Sequence, residues 1–274
     1  MTTDKKRAAA VIGAVFGDYV GSVYEFKNYK GKDFTLFSDR SAFTDDTVTT
    51  AAVYSALKEY MADRTDGEKK VSESLVKYCR LFPDAGYGSK FKEWLYTPVR
   101  SPYQSYGNGS AMRVSPAACF ASDFDEALRL AAMTASVTHD HEEGIKGACA
   151  VSAVIFKAFT SSSKEEILKT ARIFYDMDFT LDEIRDSYTF DATCQGSVPQ
   201  ALMAFFESDS FEDAVRTAVS IGGDSDTIAS IAGAVAGAFY GIPVGFVIFI
   251  AEKLGQHPML YETFKELISV LLKD

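Results

Sequence analysis

The chain has 274 residues, with 28 Lys+Arg against 38 Asp+Glu and a formal net charge of -10. A chain of that length can bury a sizeable core, and 47% hydrophobic with 24% charged residues is a globular composition, not a disordered one. The acidic excess argues against a sequence-independent nucleic-acid binder, which needs a dense Lys and Arg surface, and it makes clustered acids candidate holders of divalent cations.

At the N-terminus, Lys5-Lys6-Arg7 followed by Ala8 to Phe16 resembles the charged and apolar regions of an export signal. The apolar run stops at Gly17-Asp18, however, and helical spacing through Val11, Val15, Tyr19 and Val23 predicts a first helix reaching Glu25. Asp33 to Phe37 is the one weak strand candidate. A second helix opens just after Thr44-Asp45-Asp46, with Val48, Ala51, Ala52 and Ser55 on one face. Asp63 to Lys70 is a polar loop, and Thr97 to Gly109 is a loop rich in Tyr, Ser and Gly. Neither has the character of a domain boundary, so a single domain over 1–274 is expected. Further helices are marked by Leu128, Ala131, Ala132 and Ala135, after acids in a first turn at Asp125 and Glu126, and by Ile145, Ala148, Cys149, Ser152 and Ile155. Ser210 with Asp213 reads as a capping-box-like start.

Ile228 to Ala251 runs 24 residues without a charge, formally enough to span a bilayer. Gly241-Ile242-Pro243 breaks it, because proline lacks the N–H and clashes with the preceding turn, so two short buried helices are expected. Within the first of them Ala229, Gly233 and Gly237 form a small-residue stripe that permits close helix approach. Met259 to Leu272 is again amphipathic. The expected fold class is all-α, a compact assembly of roughly ten or more helices at the usual length of about three turns. The four cysteines are far apart and read as buried thiols in a reducing cytoplasm; the three histidines lack zinc spacing. The expected location is cytoplasmic, with no membrane partner and no general nucleic-acid partner.

Two acidic clusters carry the chemistry. Thr44-Asp45-Asp46-Thr47 precedes a helix, where two carboxylates and two hydroxyls supply hard oxygen ligands and the helix dipole favours negative charge. Gly222-Gly223-Asp224-Ser225-Asp226-Thr227 also opens a helix, and its paired glycines let the backbone turn tightly. Helix capping explains one acid in each cluster but not two. Two such clusters about 180 residues apart, both at helix starts, favour one shared cation site. Asp18 and Gly21 lie one turn apart on the first helix, pointing to close packing against a helix or a ligand. Two glycine-bearing loops, Asp84 to Ser89 and Ser105 to Arg113, could leave backbone N–H groups free to cradle phosphate oxygens.

Taken in order, G-D-x-x-G…E, T-D-D-T, G-Y-G, S-Y-G-N-G-S-A-M-R, T-H and G-G-D-S-D-T resemble the ADP-ribosylglycohydrolase family, with motifs running from Gly17 to Gly241. The resemblance implies an all-α fold of orthogonal helices with a dinuclear Mg2+ centre, Mn2+ being the substitute. Its ligands would be Thr44, Asp45, Asp46, Asp224, Asp226 and Thr227, with Glu25 close to the metals. Asp45, Asp46 and Glu25 would be the catalytic carboxylates. Gly86, Tyr87, Gly88 and Ser89, with Ser105, Tyr106, Gly107 and Asn108, would hold ADP-ribose, and His139 would lie near the substrate. His141 has no counterpart and reads as a surface residue. Cys194 to Pro199 resembles a loop before a helix at the edge of the adenosine pocket.

The activity so implied is hydrolysis of the ribosyl C1″ bond of ADP-ribosylated acceptors, protein or small molecule. ADP-ribosylarginine leads the acceptors, and ADP-ribose is released. The alternative is a non-catalytic ADP-ribose-binding or crystallin-like protein of the same fold. An isoprenoid synthase fits poorly, since D-D-x-x-D would need an acid where Thr49 stands. The loops Lys27 to Ala42 and Thr97 to Tyr103 would set acceptor choice. Five acids, Glu25, Asp45, Asp46, Asp224 and Asp226, would place -5 against +4 from two divalent ions. Half of the acidic excess would then be the cost of building one site.

Overall fold

The computed structural model describes residues 1–161 and 163–273. Ser162 and Asp274, within the expected domain span, lie outside the described residues. Fifteen helices account for the regular structure among those residues. They are α1 (Thr3–Gly21), α2 (Asp45–Asp63), α3 (Gly67–Leu81), α4 (Ser89–Tyr96), α5 (Gly109–Met112), α6 (Ser115–Phe120), α7 (Phe124–Ser136) and α8 (Glu142–Thr160). The second half adds α9 (Lys164–Ala171), α10 (Leu181–Arg185), α11 (Cys194–Phe206), α12 (Phe211–Val219), α13 (Ser225–Tyr240), α14 (Val244–Gly255) and α15 (Pro258–Leu272). The all-α expectation holds. Asp33 to Phe37 forms no strand, and the one β feature among the described residues is an isolated bridge between Gly107 and Thr193.

The centre of the molecule is the crossing of α1 and α13, both buried on every side along most of their length. That is why neither shows a clean amphipathic stripe: a helix apolar all round belongs in a core. The small-residue stripe does what its spacing predicts. A Cβ on Gly13 would overlap the Gly233 carbonyl, one on Gly17 the Ala229 carbonyl, and one on Gly237 the Ala9 carbonyl. Gly21 meets Ser225 and Asp226 in the same way, so the first turn of α13 rests directly on the last turn of α1. Around this pair α2, α8, α11, α12 and α15 form the surrounding shell.

Four sequence expectations need correcting, the first being the polar loop Asp63 to Lys70, whose second half, from Gly67, is already α3. The first helix ends at Gly21, and Val23 to Asn28 is turn, so Glu25 sits on a turn and not on a helix. Cys194 to Pro199 is the first half of α11, not a loop before a helix, because Thr193 caps it through the Gly196 N–H at 3.0 Å. His141 is half-buried and caps α8, its Nδ1 accepting from the Glu143 N–H at 3.1 Å. The uncharged stretch does break as expected, α13 ending at Tyr240 and α14 starting at Val244. No helix among the described residues is long and apolar enough to cross a membrane. The four cysteines are unpaired, three of them buried.

Candidate active site

Asp18 organises the first acidic cluster. It is fully buried near the end of α1, and its carboxylate accepts four groups from the start of α2: the Thr44 N–H (3.0 Å) and hydroxyl (2.7 Å), and the Thr47 N–H (3.1 Å) and hydroxyl (2.5 Å). Thr44 itself caps α2 through the Asp46 N–H. The N–H groups of Thr44, Asp46 and Thr47 at the helix start are thus satisfied from within the protein. Asp45 and Asp46 are left for other work. Asp46 Oδ2 accepts from the Thr227 hydroxyl at 3.2 Å, whereas Asp46 Oδ1 is buried with no hydrogen-bond partner.

The second cluster is built differently. Asp224 stands at the N-cap of α13 but makes no capping bond with its side chain; instead Asn108 Nδ2 donates to its Oδ2 at 2.7 Å. Asp226 Oδ1 accepts the Thr227 N–H of the helix start at 2.9 Å, so helix-start bonding accounts for that acid and not for Asp224. The preceding glycines have positive φ, 70° at Gly222 and 73° at Gly223, and Gly223 N–H donates to Asn28 Oδ1 at 3.2 Å. That bond pins the turn after α1 against the second cluster. It brings Glu25 to Asp224 and Asp226, whose carboxylate oxygens lie within 4.8 Å of one another.

These acids face a cavity of about 390 Å³. Its wall includes Glu25, Asp45, Asp46, Asp224, Asp226 and Thr227, together with Gly86, Gly88, Ser89, Ser105, Gly107, Asn108 and His139 from the predicted ligand loops. Three predicted site residues are absent from the wall. Thr44 is turned to its capping role. Tyr87 is buried against Phe91, with ring centroids 5.6 Å apart. Tyr106 is largely exposed, its ring against His141 at 5.3 Å. The wall also contains Thr49, Lys90 and Phe190, assigned no role in the sequence, with Tyr103 from the loop expected to set acceptor choice and Met112 and Arg113 from the end of the second glycine-bearing loop. Thr49 was within reach of sequence reasoning, since it lies one helical turn beyond Asp45. Arg113 closes the S-Y-G-N-G-S-A-M-R string, but nothing in the string marks it as cavity-lining. Phe190 had no local signal at all.

The electrostatics are those of an uncompensated anion cluster. Among the described residues none of Asp18, Glu25, Asp45, Asp46, Asp224 and Asp226 forms an ion pair. Burial pushes Asp18 and Asp224 up to about 6, against the hydrogen bonds that oppose it. Burial, reinforced by the charges of Asp226 and Asp18, lifts Glu25 to about 8. Asp45, Asp46 and Asp226 are raised well above the usual carboxylate range, first by burial and then by neighbouring carboxylates, Asp226 acting on Asp45 and Asp46, and Asp224 on Asp226. Hard carboxylate oxygens, a partnerless buried oxygen and mutual repulsion are the donor set that a pair of divalent cations would neutralise.

Sequence comparison decides the family. A sequence model of ADP-ribosylglycohydrolase matches residues 1–253. The chain belongs to the ADP-ribosylglycohydrolase family. Its relatives include ADP-ribosylhydrolase ARH3 of Homo sapiens, 27% identical over 307 residues, covering 84% of this chain and 84% of the relative. An ADP-ribosylarginine hydrolase of Pseudomonas putida is 32% identical over 269 residues, covering 85% of this chain and 70% of the relative. A solved structure, an ADP-ribosylglycohydrolase-related protein complex, superposes with TM-score 0.71 at 21% identity, covering 96% of this chain and 99% of its own. It shares the fold. With the family goes the enzyme class: the chain is a hydrolase of ADP-ribosyl linkages.

Proposed function

We propose that the protein is a Mg2+-dependent hydrolase that cleaves the ribosyl C1″ bond of ADP-ribosylated acceptors, with ADP-ribosylarginine the principal linkage. The observation that carries this reading is the convergence of both acidic clusters and Glu25 on one cavity also lined by the glycine loops and His139. Asp45, Asp46, Asp224, Asp226 and Thr227 would hold two Mg2+ ions, or Mn2+ in their place, with Glu25 beside them. Thr44 would join them only through its remaining lone pair. Once bound, the ions would supply Lewis acidity and activate water at neutral pH.

The protein's own groups do the rest. Breaking a ribosyl bond builds positive charge on the ribose in an oxocarbenium-like transition state, which the surrounding carboxylates stabilise. Asp45 and Asp46 are the candidates to orient and deprotonate the attacking water. Its oxygen bonds to C1″ as the C1″–N bond breaks, and the proton passes to the departing guanidine. The start of α4, at Gly88, Ser89 and Lys90, offers the positive end of a helix and one ammonium to the diphosphate. Gly86 lets this loop turn toward Asp45 through a φ of 101°, a conformation that side-chain-bearing residues rarely adopt.

The arginine assignment draws on a feature at the edge of the site. Phe26 follows Glu25 directly and is 83% exposed. Its ring stacks on that of the cavity residue Phe190, with centroids 6.0 Å apart and planes at 24°. An exposed aromatic face beside a carboxylate suits a planar guanidinium, which stacks on rings and pairs with acids. The test is a panel of ADP-ribosylated arginine, serine and nucleic-acid substrates, assayed with Mg2+ and again with a chelator. Release of ADP-ribose from the arginine conjugate, lost on chelation, is expected. Release from none of them would overturn the reading in favour of a binding-only protein.

A further inference from the structure

Arg113 is 1% exposed, yet among the described residues it faces no carboxylate at ion-pair distance. Its Nη2 donates to the Thr138 hydroxyl at 2.8 Å and to the Thr134 carbonyl at 3.3 Å, and its Nε has no partner. A buried guanidinium spent on a neutral hydroxyl calls for a reason.

The reason lies in the next bond. Thr138 is fully buried, and its hydroxyl oxygen stands 2.7 Å from Nδ1 of His139. A guanidinium has only donors, so the Thr138 oxygen must accept from Arg113. The single hydroxyl proton then has one acceptor in reach, Nδ1. A proton on Nδ1 would leave that hydroxyl hydrogen buried and unpaired, which costs about 1–3 kcal/mol. The neutral ring therefore carries its proton on Nε2. Burial first, and the Arg113 charge second, hold His139 well below its usual range, so the ring stays neutral.

Nε2 is the edge that the glycine loop leaves clear. A Cβ on Gly109 would lie 3.2 Å from it and one on Gly107 3.7 Å, and both glycines line the cavity with His139. Gly144 completes the fit from α8, where a Cβ would press on the His139 Cβ at 2.9 Å. We propose that Arg113 and Thr138 are positioning residues that lock His139 as an Nε2–H donor to an anionic oxygen of the ligand. In this arrangement His139 takes no part in proton transfer. The identity of that oxygen, a phosphate of ADP-ribose, rests on the function proposed above; the locked tautomer does not.

The test is long-range 1H–15N correlation on 15N-histidine protein at neutral pH, with His139→Gln identifying the signals. The protonated nitrogen is expected to be Nε2. Thr138→Val should abolish that preference and weaken ADP-ribose binding in Mg2+ about tenfold by calorimetry, and Thr138→Ser should restore both. A wild-type ring protonated on Nδ1, or a tautomer unmoved in Thr138→Val, overturns the proposal. If Thr138→Val does not fold, the wild-type tautomer decides alone. Nε2–H in a protein that binds no ADP-ribose would uphold the relay and defeat the functional reading.

Discussion

The starts of α2 and α13 have nearly the same sequence, T-D-D-T and D-S-D-T, and solve the same problem in opposite ways. At α2 the helix cap and the acids are separate: Thr44 caps, Asp18 gathers the donors, and Asp46 keeps a partnerless oxygen. At α13 the cap position is itself an acid that does no capping, held by Asn108 from another loop. The first arrangement is a structural joint that happens to present ligands. At the second, Asp226 gives one oxygen to the Thr227 N–H of its own helix, and Asp224 depends on the Asn108 loop for its aim. Damage to the supports should therefore cost stability at α2 and cation affinity at α13.

The largest effect should come from the acids of the two clusters themselves. Asp46→Asn or Asp226→Asn should lower turnover roughly a thousandfold while the far-UV CD spectrum is kept. Wild-type turnover in either variant would remove the metal-site account. Next, Asp18→Ala strands the Thr44 and Thr47 donors, and in Mg2+ it should cost about 3 kcal/mol in urea denaturation. An unchanged midpoint would mean that the α1–α2 joint is held elsewhere. Asn108→Ala should leave stability nearly unchanged and weaken Mg2+ binding about 10–100-fold in calorimetric titration. Equal losses of stability in the Asp18 and Asn108 variants would erase the contrast between the two helix starts.

The remaining effect is a pH slope. The raised carboxyls bind more protons in the folded than in the unfolded state. Metal-free protein should therefore be most stable near pH 4 and lose that increment as pH rises through about 6, for Asp18 and Asp224, to about 8, for Glu25. Saturating Mg2+ should flatten the slope to the part that belongs to Asp18, because the ions hold the Asp224 and Glu25 carboxylates ionised. A slope of the opposite sign without metal would contradict the crowding of these acids.

The all-α class, the break at Gly241-Ile242-Pro243 and the glycine stripe were all legible in the sequence, because each depends on local periodicity or backbone chemistry. Both acidic clusters were legible as well, through their excess of acids over what capping needs. What escaped was long-range. Asp18 clamps residues 26 and 29 positions away, and no spacing rule links them. Glu25 looked helical because apolar spacing continued to Val23, yet Gly21 and the Asn28 contact to Gly223 end the helix early. Tyr87 and Tyr106 had motif-level reasons to face the ligand, but packing on Phe91 and His141 takes them out of the cavity wall. Arg113 was visible as a residue and opaque as a role, because its partners Thr134 and Thr138 come from the end of α7 and the turn beyond it.

The central claim is that the two acidic clusters form one dinuclear cation site. Calorimetric titration of metal-free protein with Mg2+, paired with thermal unfolding, tests it most directly. Two bound ions per chain are expected, with unfolding raised by about 5 °C at a hundredfold excess over Kd. Asp46→Asn and Asp226→Asn, one from each cluster, should each impair both ions. A single ion lost only in Asp226→Asn, or no binding and no thermal shift, would contradict a shared site.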